Sequence, residues 1–338
     1  MSRALDAKTA ASLKEGNTEA AYQAISKVLV SPLASDDLLD IEILGQDYFS
    51  KESPYVLQDD DSVVVSKPGL VLAFMAARQR LQSHLNSVKL QSDDEMFAAT
   101  AVILLFDPEY LTAANTRKRL IQGQLSKGFD ANEVLRREQH LVDSLLTARL
   151  HRHTKSPTLW SHRRWLVSMS TSFGLPVDVS SDLKNVVFVA GQRHPRNYYA
   201  WCHARFLVSL NGSIVPPDML AAVRKWSFDH HTDISGWSFL SFLLESHHSR
   251  DTGVQNKTFS EVLDLVAALR LANESVWVFL RTLAASRLVG EEQYTRFLAV
   301  QKTILEASTK PTDQAVLRAA VDWCETYRTQ DWTQLTGS

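Results

Sequence analysis

Apolar positions along the chain recur mostly at intervals of three and four, the period of a helix with one buried face. Over 132–150 they are Val134, Leu135, Leu141, Val142, Leu145, Leu146 and Leu150. Asp130 ahead of Glu133 forms a capping arrangement that predicts the start of that helix. Over 217–228 the stripe is Leu220, Val223, Trp226 and Ser227, with Pro216 and Pro217 suited to a first helical turn. Residues 261–271 repeat the theme through Val262, Leu265, Val266 and Leu269. Breaks at Gly174-Leu175-Pro176, Asn211-Gly212 and 250–253 keep the helices short. Strand-like alternation is confined to 62–66, beside the acidic run Asp59 to Asp61, and 56–65 reads either as a hairpin-like loop or as disordered chain. Residues 1–57 give helix and loop and nothing more specific. The fold class expected is all-α.

Short helices in series direct attention to repeats, and tryptophan supplies the register. Trp160, Trp201, Trp237 and Trp277 are separated by 41, 36 and 40 residues. Each sits in a related block: Lys155-Ser156-Pro157-Thr158-Leu159-Trp160-Ser161-His162-Arg163, Pro195-Arg196-Asn197-Tyr198-Tyr199-Ala200-Trp201-Cys202-His203, Asp233-Ile234-Ser235-Gly236-Trp237, and Asn273-Glu274-Ser275-Val276-Trp277. A degenerate copy over 111–120 has Ala114 where the Trp would be. The residue four before each Trp is Ser, Asn, Asp or Asn, which predicts a helix cap there. The Trp one turn inside would fill the space between stacked helix pairs, its ring N–H needing an acceptor. Arg163, Arg164 and Arg205, three or four positions past a Trp, are expected to bond carbonyls of neighbouring helices. Such pairs bury their apolar faces only when stacked, so the expectation is a right-handed solenoid of about five helical pairs. Its expected organisation is an N-terminal helical segment over 1–106 with a loop near 58–67, repeats over 107–290, and capping helices with a short tail over 291–338.

Composition narrows the chemistry. With 36 basic and 38 acidic residues the net charge is -2, which gives no electrostatic case for nucleic acid or anionic membrane. Cys202 and Cys324 make no disulfide framework and suit a reducing compartment. Positions 1–16 hold Arg3, Asp6, Lys8, Lys14 and Glu15, with no apolar core of signal-peptide length. The longest apolar run, 98–106, is too short to span a bilayer, so a cytoplasmic protein without stable membrane insertion is expected. The histidine pairs His151/His153, His230/His231 and His247/His248 are adjacent or two apart and do not share a helix face, so no metal is expected in this chain. Gly123 and Gly128 have P-loop spacing but are followed by Phe129 and Asp130, and Gly236-Trp237-Ser238 lacks the closing glycine of a nucleophile elbow.

The tryptophan blocks resemble the repeats of protein prenyltransferase α subunits, which run Asn-Tyr-x-x-Trp-x-x-Arg. Pro195, Asn197, Tyr198, Ala200, Trp201 and His203 carry the likeness most fully, and the block at 155–165 looks like the branch called prenyltransferase α-subunit-repeat-containing protein. The likeness covers about 108–288, slightly over half of the chain. It implies a crescent of helical hairpins around a partner β subunit, the Rab geranylgeranyltransferase type for this branch. That partner would hold zinc and the isoprenoid diphosphate, and the acceptor would be a C-terminal cysteine of a client protein. Lys155 takes the place of the family's lysine that steadies the departing diphosphate. Tyr198, Tyr199, Arg196 and His162 fall at the substrate and partner interface. Trp160, Arg163, Asn197, Trp201, Arg205, Trp237, Asn273 and Trp277 fall at structural repeat positions.

Departures are visible. Ser156-Pro157 replaces Asn-Tyr, Ala204 and Leu240 stand where Arg is usual, and the first copy lacks its Trp. On its residue type alone Lys155 is equally a solvated surface lysine. The tyrosine pair would equally be one core ring and one surface ring. The function implied is transfer of an isoprenoid, geranylgeranyl by the branch, to a client cysteine by a heterodimer of which this chain is the non-zinc subunit. The alternative is a non-catalytic helical-repeat scaffold that binds a protein or peptide.

Overall fold

The computed structural model describes residues 16–31, 37–86, 91–210, 215, 217–246, 253–286 and 288–328. The chain forms two compact units, 1–203 and 204–338. The division falls inside helix Tyr198–Leu210.

In unit 1, α1 (Thr18–Val30) precedes β1 (Asp40–Leu44), β2 (Val56–Asp59) and β3 (Ser62–Ser66). The strand order is β1-β3-β2, with β1 parallel to β3 from the Asp40–Ser62 pair onward and β2 antiparallel to β3. The hairpin turns at Asp60, whose φ of 48° lies in the left-handed region that Asp tolerates. Ile41, Val63 and Val65 point into the core, which makes this small sheet a lid on an otherwise helical unit. Of the two readings of 56–65, the hairpin is the one found.

Helices α2 (Lys67–Leu85), α3 (Asp93–Phe106), α4 (Leu111–Ser126), α5 (Ala131–Thr147), α6 (His151–Thr154) and α7 (Pro157–Ser172) follow. Next come α8 (Val179–Asp182), a π-helical turn (Leu183–Val187) and α9 (Phe188–Arg193), and then α10 (Tyr198–Leu210) begins. The apolar run at 98–106 is most of α3, which is buried on nearly all sides from Met96 to Leu105. Ser92 and Glu95 make its reciprocal capping box, each side chain bonded to the other's backbone amide. α5 buries Leu135, Leu141, Val142, Leu145 and Leu146, the stripe that its period predicts, and Asp130 caps it by accepting from the Asn132 amide at 3.2 Å.

Unit 2 holds the rest of α10, then α11 (Pro217–Asp229), α12 (Ile234–Ser246), α13 (Gly253–Leu269), α14 (Glu274–Ala285), α15 (Glu291–Ala307) and α16 (Pro311–Tyr327). These are antiparallel pairs whose second members, α12, α14 and α16, pack in succession. Trp237, Phe239, Phe259, Trp277, Phe279 and Phe297 form its aromatic core. The architecture is all-α in plan, and among the described residues no helix is long and apolar enough to cross a membrane.

Two helical glycines separate propensity from packing. A methyl group at Gly123 of α4 meets nothing within 4 Å, whereas at Gly236 of α12 it would lie 2.5 and 2.8 Å from the Trp226 ring. Gly123→Ala is expected to stabilise by about 0.5–1 kcal/mol through helix propensity. Gly236→Ala is expected to destabilise by at least about 1 kcal/mol because the ring must shift. Urea unfolding midpoints of the two variants would read the opposite signs.

Candidate functional site

The site grows from the turn between α6 and α7. Thr154 ends α6 fully buried, and its carbonyl accepts from Trp160 Nε1 at 2.9 Å and from Asn197 Nδ2 at 2.6 Å. Trp237 and Trp277 make the equivalent indole bond, each to the carbonyl six residues upstream, His231 and Leu271. All four expected caps form. Ser156 accepts from the Leu159 amide, Asn197 from Ala200, Asp233 from Ser235 and Asn273 from Val276, at 2.8 to 3.3 Å. The caps also reach back one repeat: Ser156 donates to the Pro108 carbonyl, Asn197 to Thr154, and Asn273 Nδ2 lies 3.2 Å from His231 Nδ1. Ser156-Pro157 therefore does the work of the usual Asn-Tyr start, with the hydroxyl as cap and Pro at the first helical position. The first block, with Tyr110 at the cap place, has no side-chain cap and no Trp.

Two buried ionic layers hold α4, α5 and α7 in unit 1. Arg117 forks onto Glu138 at 2.8 and 2.6 Å and donates to the Phe97 carbonyl and the Thr100 hydroxyl. His162 Nε2 lies 2.9 Å from the same carboxylate. Burial pushes the Glu138 carboxyl up, but Arg117 and His162 outweigh it and hold the group well below the usual carboxylate range. Arg163 meets Asp143 at 2.7 Å and Asp182 at 2.9 Å and donates to His203 Nε2. Burial opposes the Arg163 charge, and the two carboxylates more than restore it, so its pKa lies above the ordinary value. Arg163 was expected to bond helix-end carbonyls. It is fully buried, and only carboxylates compensate a cation there. Arg205 donates to the Ser238 hydroxyl and stacks over Phe239 and Phe242.

On this frame the expected site residues divide. Lys155 is exposed on the α6–α7 turn, with its backbone fixed by the N–H bond to the His153 carbonyl and by the Thr154 and Ser156 contacts. Tyr198 and Tyr199 are both at the surface, 70% and 40% exposed, with ring centres 5.6 Å apart edge to face. Arg196 is exposed in the preceding turn with φ of 61°. His162 is a correction. It is completely buried against Glu138 and Trp165 and meets no partner or substrate, because the ion layer draws it inward.

Beside Tyr199 a cleft of about 240 Å³ opens between α7 and α10, lined also by Pro157, Trp160, Ser161, Arg164, Cys202 and His203. Arg164 lines this cleft, although its spacing from Trp160 predicts a purely structural place. Its signal was the offset of four from Trp160, shared by Lys118 (from Ala114), Arg205 and Arg281. Such a surface can hold an anion or a peptide, and it contains no set of groups for bond cleavage unaided. Among the described residues, no cluster of three or more His, Cys, Asp or Glu is placed to hold a metal ion.

The capped turn, the indole–carbonyl bond and the fork of Arg163 onto Asp143 are the frame on which the comparisons bear. Residues 143–170 match the protein prenyltransferase alpha subunit repeat. The match runs from Asp143 to Ser170, so it contains both partners of that ion pair, Lys155, the Ser156 cap and Trp160. Residues 159–268 match a second family description, the ECM9 middle domain, which takes in Trp160 and the blocks of Trp201 and Trp237. No curated protein matches the chain.

Removing the Arg163 charge would strand the buried Asp143 and leave the half-buried Asp182 without its cation. Arg163→Met is expected to cost about 3–5 kcal/mol, and pairing it with Asp143→Asn should recover part of that in denaturant titrations.

Acid should loosen the same unit through its buried imidazoles. Burial lowers the pKa of His162 and takes that of His153 to about 4. His203 is pushed well down by burial and by Arg163 and Arg164. His153 bonds the Leu104 and Leu105 carbonyls through Nε2, and its buried Nδ1 has no partner for a proton. The unfolded chain takes up these protons near pH 6.5 and the folded chain does not. Stability is therefore full above about pH 6.5 and falls as the pH drops toward 4. His153→Gln should flatten that dependence in urea midpoints taken across the window, and an unchanged slope would contradict the assignment.

Proposed function

We propose that this chain is the non-zinc, α-type subunit of a heterodimeric protein prenyltransferase that transfers an isoprenoid, geranylgeranyl by the branch it resembles, to a C-terminal cysteine of a client protein. The observation that carries this reading is the prenyltransferase alpha repeat match over 143–170, laid on a turn that exposes Lys155 with a fixed backbone. The partner is a β subunit, of the Rab geranylgeranyltransferase type, and the setting is the cytoplasm. Zinc on the β subunit would supply the acidity that makes the acceptor cysteine a thiolate. The thiolate sulfur forms a bond to the first carbon of the isoprenoid as the carbon–oxygen bond to diphosphate breaks, and diphosphate leaves with the electron pair. This chain's part is to set the Lys155 ammonium, with the exposed Tyr198 and Tyr199 beside the same frame, against the charge growing on that diphosphate.

A second reading is a helical-repeat scaffold with no chemistry of its own, favoured by the uncapped first block with Ala114 in place of Trp. Co-purification with each β subunit, followed by transfer of labelled isoprenoid diphosphate to a cysteine-ended client, separates the two. Lys155→Ala is expected to slow transfer about 10–100-fold while leaving the affinity of the complex within twofold. A stable complex that transfers no lipid favours the scaffold, whereas transfer indifferent to Lys155 keeps the enzyme reading and removes Lys155 from it.

A further inference from the structure

Two helices of unit 1 carry bases and no acid. α4 holds Arg117, Lys118 and Arg119, α7 holds Arg163 and Arg164, and neither has an Asp or Glu anywhere along it. The carboxylates of the buried ion layers come instead from α5 and from Asp182. With Arg117 and Arg163 buried in those layers, the charges that α4 and α7 leave toward solvent are Lys118, Arg119 and Arg164. A chain with a net charge of -2 thus has a face whose charges are all positive.

Lys118 ties the two helices together at this face, its Nζ 5.6 Å from the centre of the half-buried Trp165 ring. Burial pushes the Lys118 pKa down, and no carboxylate stands close enough to oppose it. A half-buried ammonium held only by an aromatic ring lacks its counter-charge. Arg119 is exposed beside it and forms no ion pair among the described residues. Along α7 the small, exposed Ser161 and Ser168 leave the surface open on either side of Arg164. The face is short. α4 has 16 residues, about 24 Å of helix, with Glu109 just before it and Asp130 just after it.

We propose that the face of α4 and α7 binds an acidic segment of a partner protein, its carboxylates on Lys118, Arg119 and Arg164 and an apolar side chain against Trp165. Charge complementarity selects an acidic segment over a basic one. An extended segment of about seven residues covers 24 Å. A nucleic-acid strand, charged along its whole length, would run onto Glu109 and Asp130 at the two ends. The inference goes beyond the preceding reading and does not rest on it.

The test titrates a fluorescein-labelled heptaglutamate peptide with the full chain, at low and at physiological salt, and follows anisotropy. Saturable binding that weakens with salt is expected. Lys118→Gln combined with Arg119→Gln should bind about tenfold more weakly and lose part of the salt dependence. Ser161→Glu, which sets a carboxylate of this chain on the open face, should weaken binding as well. Lys27→Gln, on α1, removes the same charge elsewhere and should leave the affinity unchanged. Three results overturn the inference: no binding to the parent chain, equal binding by the double variant, or equal binding of heptaglutamine. A single-stranded oligonucleotide that binds more tightly and displaces the peptide also overturns it, by giving the face to nucleic acid. Because the titration uses this chain alone, it can fail while the prenyltransferase reading stands, and succeed where lipid transfer is not found.

Discussion

One carbonyl group organises the centre of unit 1. The oxygen of Thr154 takes the indole proton of its own repeat's Trp160 and the amide protons of the next repeat's Asn197, so both of its lone pairs are used. A buried carbonyl left unpaired costs about 1–3 kcal/mol, so the two donors are constraints and not ornaments. Trp160 fixes how α7 leaves the turn, and Asn197 fixes where the following helix starts. In unit 2 the turn at His231 and Thr232 does the same with different acceptors. Trp237 bonds the His231 carbonyl, Asn273 reaches the His231 ring and Ser275 the Thr232 carbonyl. The repeat is thus a repeat of hydrogen-bond geometry before it is a repeat of residues.

Packing above those turns is solved in two ways. Three positions past the tryptophan place stand Arg117 and Arg163 in unit 1, each buried and each held by carboxylates. In the later copies the same offset holds Ala204, Leu240 and Leu280, equally buried. A buried ion pair recovers its desolvation cost only with close geometry, so each arginine requires its own acids, Glu138 in one layer and Asp143 with Asp182 in the other. Aliphatic residues need no such partners. The aliphatic residues at this offset in the later copies are therefore compatible with a sound core.

Much of this was legible from spacing. The tryptophan interval and the residue four before it gave the caps, because capping depends on short-range geometry that a local sequence encodes. The burial stripe of α5 followed from its period alone. Ion partners were not legible: Asp143 and Asp182 lie 20 and 19 residues from Arg163, on either side of it, and ordinary surface acids look the same in sequence. His162 was misplaced for that reason, since its neighbour Arg163 and its contact Glu138 both draw it inward. Strand β1 was missed although Ile41 and Ile43 alternate, because a parallel partner more than 20 residues away leaves no local turn to mark it.

The exposed residues inherit their positions from the buried ones. Lys155 follows Thr154 and precedes Ser156, so its Cα is set by a carbonyl with two donors on one side and a cap with two bonds on the other. Tyr198 and Tyr199 follow Asn197, the other end of the same link. A change of Asn to Ser at the cap can therefore leave the surface side chains in place, provided the backbone groups stay satisfied. The bond from Asn197 to the Thr154 carbonyl keeps Lys155 and the tyrosines in one neighbourhood. Any chemistry at this surface depends first on bonds that no ligand touches.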